Sequence, residues 1–187
     1  MIADKDRSNF IGASDVDKVV GKWTSDTFAK WWLEKLGMRR NNLKNKFVDA
    51  GNGYERRILE SLGIPMEFDK QIILEDLLLR VNLDGNTNDC IYECKTFKAE
   101  KGFKLPPRYI NQVQVQMFAS GIHQAEVVAY GLEEEDYNNF FRQIDPNRLQ
   151  RFHINYDPAW INTKYLPKLK VLVDCLKRGV LPNEAAV

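Results

Sequence analysis

The spacing of apolar and polar positions changes along the chain, and each spacing predicts a type of element. Apolar residues that recur every three or four positions are typical of helices with one buried face. The predicted helices cover residues 8–21, 26–37, 47–62, 109–120 and 164–178. Alternating or continuously apolar runs are typical of strands. The predicted strands cover residues 71–79, 80–84, 90–97, 125–131 and 148–156.

The order of these elements predicts the fold class. A helix, three strands, a helix and a strand follow one another in the centre of the chain, which indicates an α/β core with a mixed sheet. Ser14 is the predicted N-cap of the first helix, because Asp17 follows three residues later as in a capping box. Residues 85–89 (GNTND) predict a turn between two strands.

Charge and composition restrict the function without identifying it. The chain has 187 residues, with 27 basic and 26 acidic side chains and a net charge of +1. This balance excludes a protein that coats nucleic acid in bulk, but an enzyme with a local basic strip beside an acidic centre remains possible. No apolar run approaches ~18 residues and residues 1–10 lack the apolar core of a signal peptide. We therefore expect neither a membrane span nor secretion.

Cysteine and histidine are too few and too dispersed for the common metal sites of nitrogen and sulfur ligands. The three cysteines, an odd and low number, are typical of a reducing cytoplasm. His123 and His153 lie thirty residues apart with no Cys or His close in sequence, so a structural zinc site is not expected. Any metal would be bound through oxygen, which favours magnesium, manganese or calcium.

Two acids and a lysine carry the chemical signal. Alternation along residues 90–97 places Glu93 and Lys95 on one face of a strand, and the turn brings the strand of Asp84 alongside. Acids and a lysine on a sheet face are costly unless they have partners. A divalent cation would satisfy both acids at once.

Two other interpretations of this spacing are open. Asp84, Asn86 and Asn88 match the first ligand positions of a calcium-binding EF-hand loop, but Asp89 stands where glycine is needed and Lys95 where a bidentate glutamate is needed. The pattern is also compatible with a polar turn followed by a surface Glu–Lys pair. The spacing alone does not separate these readings from a metal site.

Further motifs favour the metal site. The segment from Asp84 to Glu93-Cys94-Lys95 resembles the signature of the PD-(D/E)XK nuclease superfamily. More specifically, the chain resembles the YqaJ-type viral recombinases, the family that includes lambda exonuclease. The segments that carry the resemblance are, in order, residues 7–16 (RSNFIGASDV), 51–55 (GNGYE), 82–85 (NLDG), 93–95 (ECK) and 109–117 (YINQVQVQM).

The resemblance implies a fold and a domain organisation. The fold would be α/β and restriction-endonuclease-like, with a central mixed β-sheet flanked by helices. One nuclease domain would cover residues 1–187. Its parts would be N-terminal helices and an end-binding segment (1–46), a catalytic core (47–132) and a C-terminal strand and helix (133–187).

The resemblance also implies a metal centre. Asp84, Glu93 and the backbone carbonyl of Cys94 would bind Mg²⁺, for which Mn²⁺ can substitute, and Glu55 would be an added ligand. Lys95 would hold the attacking water beside the metal and the scissile phosphate. Considered alone, Glu55 is better explained as a solvent-facing residue of a charged helix (residues 54–57, YERR).

Other matched residues would contact DNA. Gln112 would position the water or a phosphate, Gln116 stands one turn further on where related nucleases often carry tyrosine, and Tyr109 would line the same cleft. Arg7 and Ser14 match the family's pocket for a terminal 5′-phosphate.

Asn82 stands where lambda exonuclease has a serine, so its exact contact is open. Arg108 belongs to a basic run with Lys98, Lys101 and Lys104, which would guide DNA or simply be solvated. A second basic segment, with the same two readings, contains Arg39, Arg40, Lys44 and Lys46. Phe103, in a loop, is a candidate wedge at a duplex end.

The function implied is a Mg²⁺-dependent exonuclease that degrades one strand of linear double-stranded DNA in the 5′→3′ direction. It would serve recombination by single-strand annealing, together with an annealing protein, in the cytoplasm of a bacterial host and encoded by a phage or prophage. A homo-oligomer, specifically a trimer, is implied by the resemblance alone. The alternatives are a structure- or site-specific endonuclease of the same superfamily and a catalytically silent DNA-binding or assembly protein.

Overall fold

A mixed sheet with helices on both faces forms the framework, as the order of elements predicted. The computed structural model describes residues 8–39 and 46–183 of the chain. The strands are β1 (Ile11–Gly12), β2 (Glu67–Leu74), β3 (Leu79–Asn86), β4 (Ile91–Lys98), β5 (Gln124–Leu132) and β6 (Leu149–Asn155). The helices are α1 (Val16–Val20), α2 (Asp26–Lys35), α3 (Lys46–Glu60), α4 (Pro107–Ser120), α5 (Pro158–Trp160) and α6 (Leu166–Arg178).

The strand order is β1-β3-β4-β5-β6, and β2 pairs with β3 as an antiparallel ribbon. β4 and β5 are parallel and joined through α4, whereas β6 returns antiparallel to β5. The α/β class with a mixed sheet is therefore confirmed. Among the described residues no helix is both long enough and apolar enough to cross a membrane.

Alternation along β4 and β5 separates two apolar cores. Ile91 and Val127 belong to the larger core, which also contains buried residues of α1, α2, α4 and α6. Tyr92 and Val128 belong to a smaller core with the inner face of α3. Because Glu93 lies two residues after Ile91, its side chain starts on the face that α4 covers.

The predicted strand over 71–79 is wrong at its C-terminal end. β2 stops at Leu74, residues Glu75–Leu77 form a 3₁₀ turn, and Leu78 adopts the left-handed conformation with φ +42°. Leu77 and Leu78 nevertheless pack against the larger core. Apolar turn residues that face a core produce the same sequence pattern as a strand, which explains the error.

The predicted helix over 8–21 is also wrong in its first half. Residues Ile11–Gly12 pair in parallel with Leu79–Arg80 of β3, and a 3₁₀ turn follows before α1 begins at Val16. Ser14 lies inside this turn and does not cap a helix. The side chain of Asp15 caps the turn instead and accepts a hydrogen bond of 2.9 Å from the Gly12 N–H.

The sheet divides where the site forms. β3 pairs with β4 only through Gly85 with Tyr92 and Asn86 with Ile91. Towards its N-terminal end β3 pairs with β1 instead. The two central strands therefore separate at Asp84, and we call this gap between β3 and β4 the sheet fork.

Candidate active site

Asp84 lies at the sheet fork and takes the place of a strand neighbour. Its Oδ2 atom accepts a hydrogen bond of 2.8 Å from the backbone N–H of Cys94. The N–H and C=O of one strand residue point to the same side, so the Cys94 carbonyl is also directed towards the fork. Burial raises the pKa of Asp84 well above its ordinary value, and the charges of Glu93 and Glu55 raise it further. A carboxyl group in this position favours a cation.

Glu93 is held by three donors. Its side chain is almost fully buried, with 2% exposed. Oε1 accepts hydrogen bonds from the Lys95 ammonium group and, at 2.6 Å, from Gln112 Nε2. Within residues 8–39 and 46–183, Oε2 accepts a hydrogen bond from Gln116 Nε2 alone. Because every partner donates, the carboxylate is held as an acceptor, and Oε2 keeps more free lone-pair capacity than Oε1.

Lys95 is a cation in this setting. Burial alone would lower the pKa of Lys95, but the charges of Glu93 and Asp84 raise it above its ordinary value. Its ammonium group also lies 5.1 Å from the centroid of the Tyr109 ring, within the range of a cation–π contact. A lysine that stays protonated can donate to a water molecule or a phosphate oxygen, but it cannot accept a proton.

Glu55 reaches the site from the opposite face of the sheet. It lines a cleft with Gly51, Cys94 and Lys95. Gly51 allows α3 to approach β4 closely, because a Cβ there would lie 3.3 Å from Thr96 Oγ1. Burial and the charge of Glu93 raise the pKa of Glu55 to about 7.

The structure thus brings together the acids and the lysine that the strand pattern and the resemblance singled out. We call them the acidic site: Glu55, Asp84, Glu93 and Lys95. One lysine faces three carboxyl groups, and the pKa values of Glu55 and Asp84 are raised. Such an arrangement has an excess of negative charge, and a bound cation would reduce the repulsion among the carboxyl groups.

A divalent cation could be bound here by two carboxylate side chains, and a third is not required. Within residues 8–39 and 46–183, no three His, Cys, Asp or Glu side chains lie close enough together to hold one metal ion between them. Magnesium commonly uses one or two carboxylates and keeps several waters. Asp84, Glu93 Oε2 and the Cys94 carbonyl meet that requirement, and Glu55 lies further out.

The predicted 5′-phosphate pocket is partly described. Ser14 is exposed and lies in the 3₁₀ turn Ala13–Asp15, which contacts β3. Asn82, on β3, is half-buried, and its Oδ1 accepts a hydrogen bond of 3.2 Å from Gln71 Nε2 on β2. The sequence did not indicate that Gln71 contacts Asn82, because this contact follows from the register of β2 against β3. Arg7 lies outside the described residues, so its predicted role stays a prediction.

Gln116 is not placed for contact with DNA. Its side chain is fully buried, and it donates to Glu93 and to the Asn82 backbone carbonyl. The prediction that Gln116 binds DNA is therefore not supported by this geometry. The turn of α4 that carries Gln116 faces the sheet fork rather than solvent, which spacing along the helix cannot reveal.

Residues around the predicted DNA path divide into packed rings and exposed cations. Phe103 packs against Phe97, Phe152 and Tyr109, with ring centroids 5.0, 5.6 and 6.4 Å apart, so it is not a free wedge. Arg108 is exposed, and its guanidinium group lies 4.7 Å from the centroid of the Tyr109 ring.

The basic segments are described only in part. Lys101 and Lys104 are exposed, and Lys98 pairs with Glu100 at 3.7 Å. Arg39 is exposed, whereas Arg40 and Lys44 lie outside the described residues, as does the side chain of Lys46.

Sequence reasoning missed the contacts that hold α3, the helix of Glu55. Asp136 is fully buried between Arg148, at 2.6 Å, and Arg142, at 3.1 Å. The Tyr54 hydroxyl lies 3.1 Å from Asp136 Oδ1 and 2.7 Å from the Asn139 carbonyl oxygen. We call these residues the Asp136 cluster: Tyr54, Asp136, Arg142 and Arg148. Their one sequence signal is an acid run at 133–136, which is typical of a solvated surface.

Arg57 adds backbone contacts to the same region. Its guanidinium group donates to the carbonyls of Phe140, Phe141 and Arg142, the last at 2.7 Å. The helix that carries Glu55 is therefore fixed to the segment after β5.

Solved structures share the fold. An alkaline exonuclease from Laribacter hongkongensis, LHK-Exo in complex with dAMP, superposes with a TM-score of 0.71 at 18% identity, over 92% of this chain and 90% of that chain. A phage-related exonuclease from Haemophilus somnus 129PT superposes with a TM-score of 0.66 at 15% identity, over 91% and 96%. The predicted restriction-endonuclease-like fold is thereby confirmed.

Sequence comparison gives the family. No protein of curated function matches the chain significantly. The model of the YqaJ-like viral recombinase domain matches residues 4–123, which is more than half of the 187 residues. This range contains every segment on which the resemblance was based. The chain therefore belongs to the YqaJ-like viral recombinase family.

Proposed function

We propose that this protein is a Mg²⁺-dependent exonuclease that hydrolyses one strand of linear double-stranded DNA in the 5′→3′ direction. The observation that carries the proposal is the acidic site, where Asp84, Glu93 and Lys95 meet at the sheet fork and Glu55 lines the adjoining cleft. The family and the exonucleases that share the fold support the same reaction class. A silent binding module would have no need for this costly arrangement of buried charge.

Each residue of the site has a role in this reaction. Asp84, Glu93 and the Cys94 carbonyl would hold the cation. When bound, Mg²⁺ would supply positive charge for the attacking and leaving oxygens of a phosphodiester. Lys95 donates to the attacking water or to a phosphate oxygen and stabilises the negative charge that develops there.

Gln112 and Glu55 act beside these groups. Gln112 fixes Glu93 Oε1 at 2.6 Å and can shift its donor to a water or a phosphate when the substrate enters. Glu55, with its pKa raised to about 7, is suited to hydrogen-bond a water ligand at the outer side of the cleft.

The polarity of digestion rests on the N-terminal segment. Ser14 is exposed on a turn that contacts β3, and Asn82 lies on β3 two residues before Asp84. A terminal 5′-phosphate held by these residues and Arg7 would place the next phosphodiester near the acidic site. Arg108 and its neighbouring lysines would neutralise phosphates further along the duplex.

The biological setting is part of the proposal. Resection of one strand produces single-stranded DNA, which an annealing protein would pair with a complementary strand. We propose that the enzyme works with such a protein in phage-type recombination inside a bacterial cell. A homo-oligomer, a trimer by resemblance, would keep it on the duplex.

Digestion of linear duplexes with one 5′ end phosphorylated and the other not, with Mg²⁺ or with EDTA, tests the proposal. We expect Mg²⁺-dependent loss of the strand that begins with the phosphate and no product with EDTA. Preference for the unphosphorylated end would contradict the pocket of Arg7, Ser14 and Asn82. A covalently closed circular duplex should stay intact, and cleavage of the circle would instead favour an endonuclease.

A further inference from the structure

Gln116 connects the two strands that separate at the sheet fork. It lies on α4 one turn after Gln112, and its side chain is fully buried. Its Nε2 atom donates to Oε2 of Glu93 on β4 and, at 3.2 Å, to the Asn82 carbonyl on β3. A side-chain amide thus joins β3 to β4 at a level where no backbone pair joins them.

The orientation of this amide is fixed by its partners. A backbone carbonyl oxygen and a carboxylate oxygen are both acceptors, so only the NH₂ group of Gln116 can satisfy them. The other end of the amide, Oε1, is buried and has no hydrogen-bond partner among the described residues. An unpaired buried oxygen is costly. The chain tolerates this cost in order to place two donors at the fork.

The position of the contact matters because Oε2 is the freer oxygen of Glu93. Lys95 and Gln112 both donate to Oε1, whereas among the described residues only Gln116 donates to Oε2. Without Gln116 the carboxylate could rotate about its two Oε1 contacts. The Asn82 carbonyl would lose the same donor.

We infer that Gln116 is a positioning residue, which fixes Glu93 against β3 so that Oε2 presents its remaining lone pair to a cation. This inference rests on the proposed function. It differs from a DNA-binding role, because a fully buried side chain cannot contact DNA. It also links Glu93 to the backbone of Asn82, a residue of the proposed phosphate pocket.

Gln116→Met tests the inference, since methionine keeps the length of the side chain and removes both donors. We expect Mn²⁺ to bind the DNA-free variant roughly 10–100-fold more weakly than the wild type, which is the usual effect of removing a partner that orients a metal ligand. Isothermal titration with Mn²⁺ measures this. With saturating Mn²⁺, kcat for duplex digestion should fall while KM for DNA stays nearly constant.

Gln114→Met is the matched control on the same helix. Gln114 is also buried, but its partners are the Asn155 carbonyl at 2.8 Å and the Asp157 N–H at 2.7 Å, away from the acidic site. We expect this variant to lower the thermal unfolding temperature and to leave Mn²⁺ affinity unchanged.

The possible outcomes are distinct. Wild-type Mn²⁺ affinity in Gln116→Met, or an equal loss in Gln114→Met, would overturn the positioning role and leave the proposed nuclease function standing. A raised KM for DNA with unchanged kcat would do the same and restore a DNA contact. If the wild type itself binds no Mn²⁺, the proposed function fails and the inference fails with it.

Discussion

This protein has two groups of fully or partly buried acids, and their neighbours affect the charge of the acids in opposite directions. In the Asp136 cluster, burial disfavours the charge on Asp136, but the Glu133 N–H and Arg148 outweigh it and lower the pKa. In the acidic site, burial and neighbouring carboxylates act in the same direction, and the pKa values of Asp84 and Glu55 are raised. The partners of Asp136 stabilise its negative charge, whereas the described neighbours of Asp84 and Glu55 leave theirs destabilised.

This difference in charge balance indicates that the Asp136 cluster stabilises the fold and that the acidic site serves function. The Asp136 cluster has two arginines and a tyrosine hydroxyl around one acid, so it can fix α3 without any external partner. Among the residues that the structure describes, the acidic site has one lysine for three acids, so a bound cation would balance its excess negative charge. An excess of buried like charge is therefore a better indication of a site than the mere presence of buried ionisable groups.

The largest expected effect is on catalysis at the acidic site. Lys95→Ala removes the cation beside the proposed water, and Glu93→Ala removes a proposed metal ligand. We expect Mg²⁺-dependent digestion of a linear duplex to fall roughly 10²–10³-fold or more in each variant. Release of acid-soluble nucleotides from labelled DNA measures this.

Lys170→Ala is the control for those variants. Lys170 is exposed on α6, outside every proposed contact, so this variant should digest DNA like the wild type. Circular dichroism should show an unchanged fold for all three variants. Full activity in Lys95→Ala or Glu93→Ala would mean that the acidic site does not carry the reaction.

The next effect concerns stability, and here the two groups should respond in opposite ways. Asp136→Ala removes the one fully buried acid that pairs with Arg148 in the described residues, and breaking a buried ion pair typically costs about 3–5 kcal/mol of unfolding free energy. Asp84→Asn removes a repelling charge and keeps the shape, so unfolding free energy should stay the same or rise. Urea denaturation at neutral pH without added metal measures both.

A fall in stability for Asp84→Asn as large as that for Asp136→Ala would break the comparison. It would show that the Cys94 N–H contact of Asp84 outweighs the repulsion among the acids. The separation of a stabilising cluster from a functional one would then no longer hold.

How much of this was accessible from the sequence depends on the range of the interactions. Glu93 and Lys95 were placed on one strand face because alternation is a local property, and successive residues of β4 enter different cores, with Ile91 in the larger and Tyr92 in the smaller. Ser14 was misplaced because its segment pairs with β3, some 68 residues away in the register of Gly12 with Arg80. Long-range pairing overrode a local capping signal there.

For the other residues, too, local patterns were predictable and long-range contacts were not. The helical spacing of Gln112 and Gln116 was visible, but the burial of Gln116 depends on the sheet fork. Asp136 was not predicted at all, since its partner Tyr54 lies 82 residues away. A short acid run indicates solvent exposure unless the fold supplies cations.

A smaller, pH-dependent effect should show that the Asp136 cluster stabilises the fold through a charged carboxylate. Because the folded-state pKa of Asp136 is lowered, its contribution to stability is present above the unfolded pKa, about 3.9, and is lost as the pH falls through the folded value. The difference in unfolding free energy between wild type and Asp136→Ala should therefore be constant near neutral pH and shrink in acid. Urea denaturation from pH 7 down to about 3 follows it. A difference that grows in acid would have the wrong sign.

The smallest expected effect is a difference in unfolding free energy between alanine variants of the two arginines in the Asp136 cluster. Arg148 is the more buried, with 14% of its side chain exposed against 35% for Arg142. It also donates to the Gly131 carbonyl at 3.2 Å and lies over the Tyr130 ring at 4.7 Å. We expect Arg148→Ala to cost about 1.5–3 kcal/mol, as for a hydrogen bond to a charged group.

Arg142→Ala should cost about 0.2–1 kcal/mol, as for an exposed ion pair. High salt should reduce the cost of Arg142→Ala more than that of Arg148→Ala, because screening acts chiefly on exposed charges. Urea denaturation at two salt concentrations measures both differences. Equal costs with equal salt dependence would mean that burial does not set the strength of these pairs.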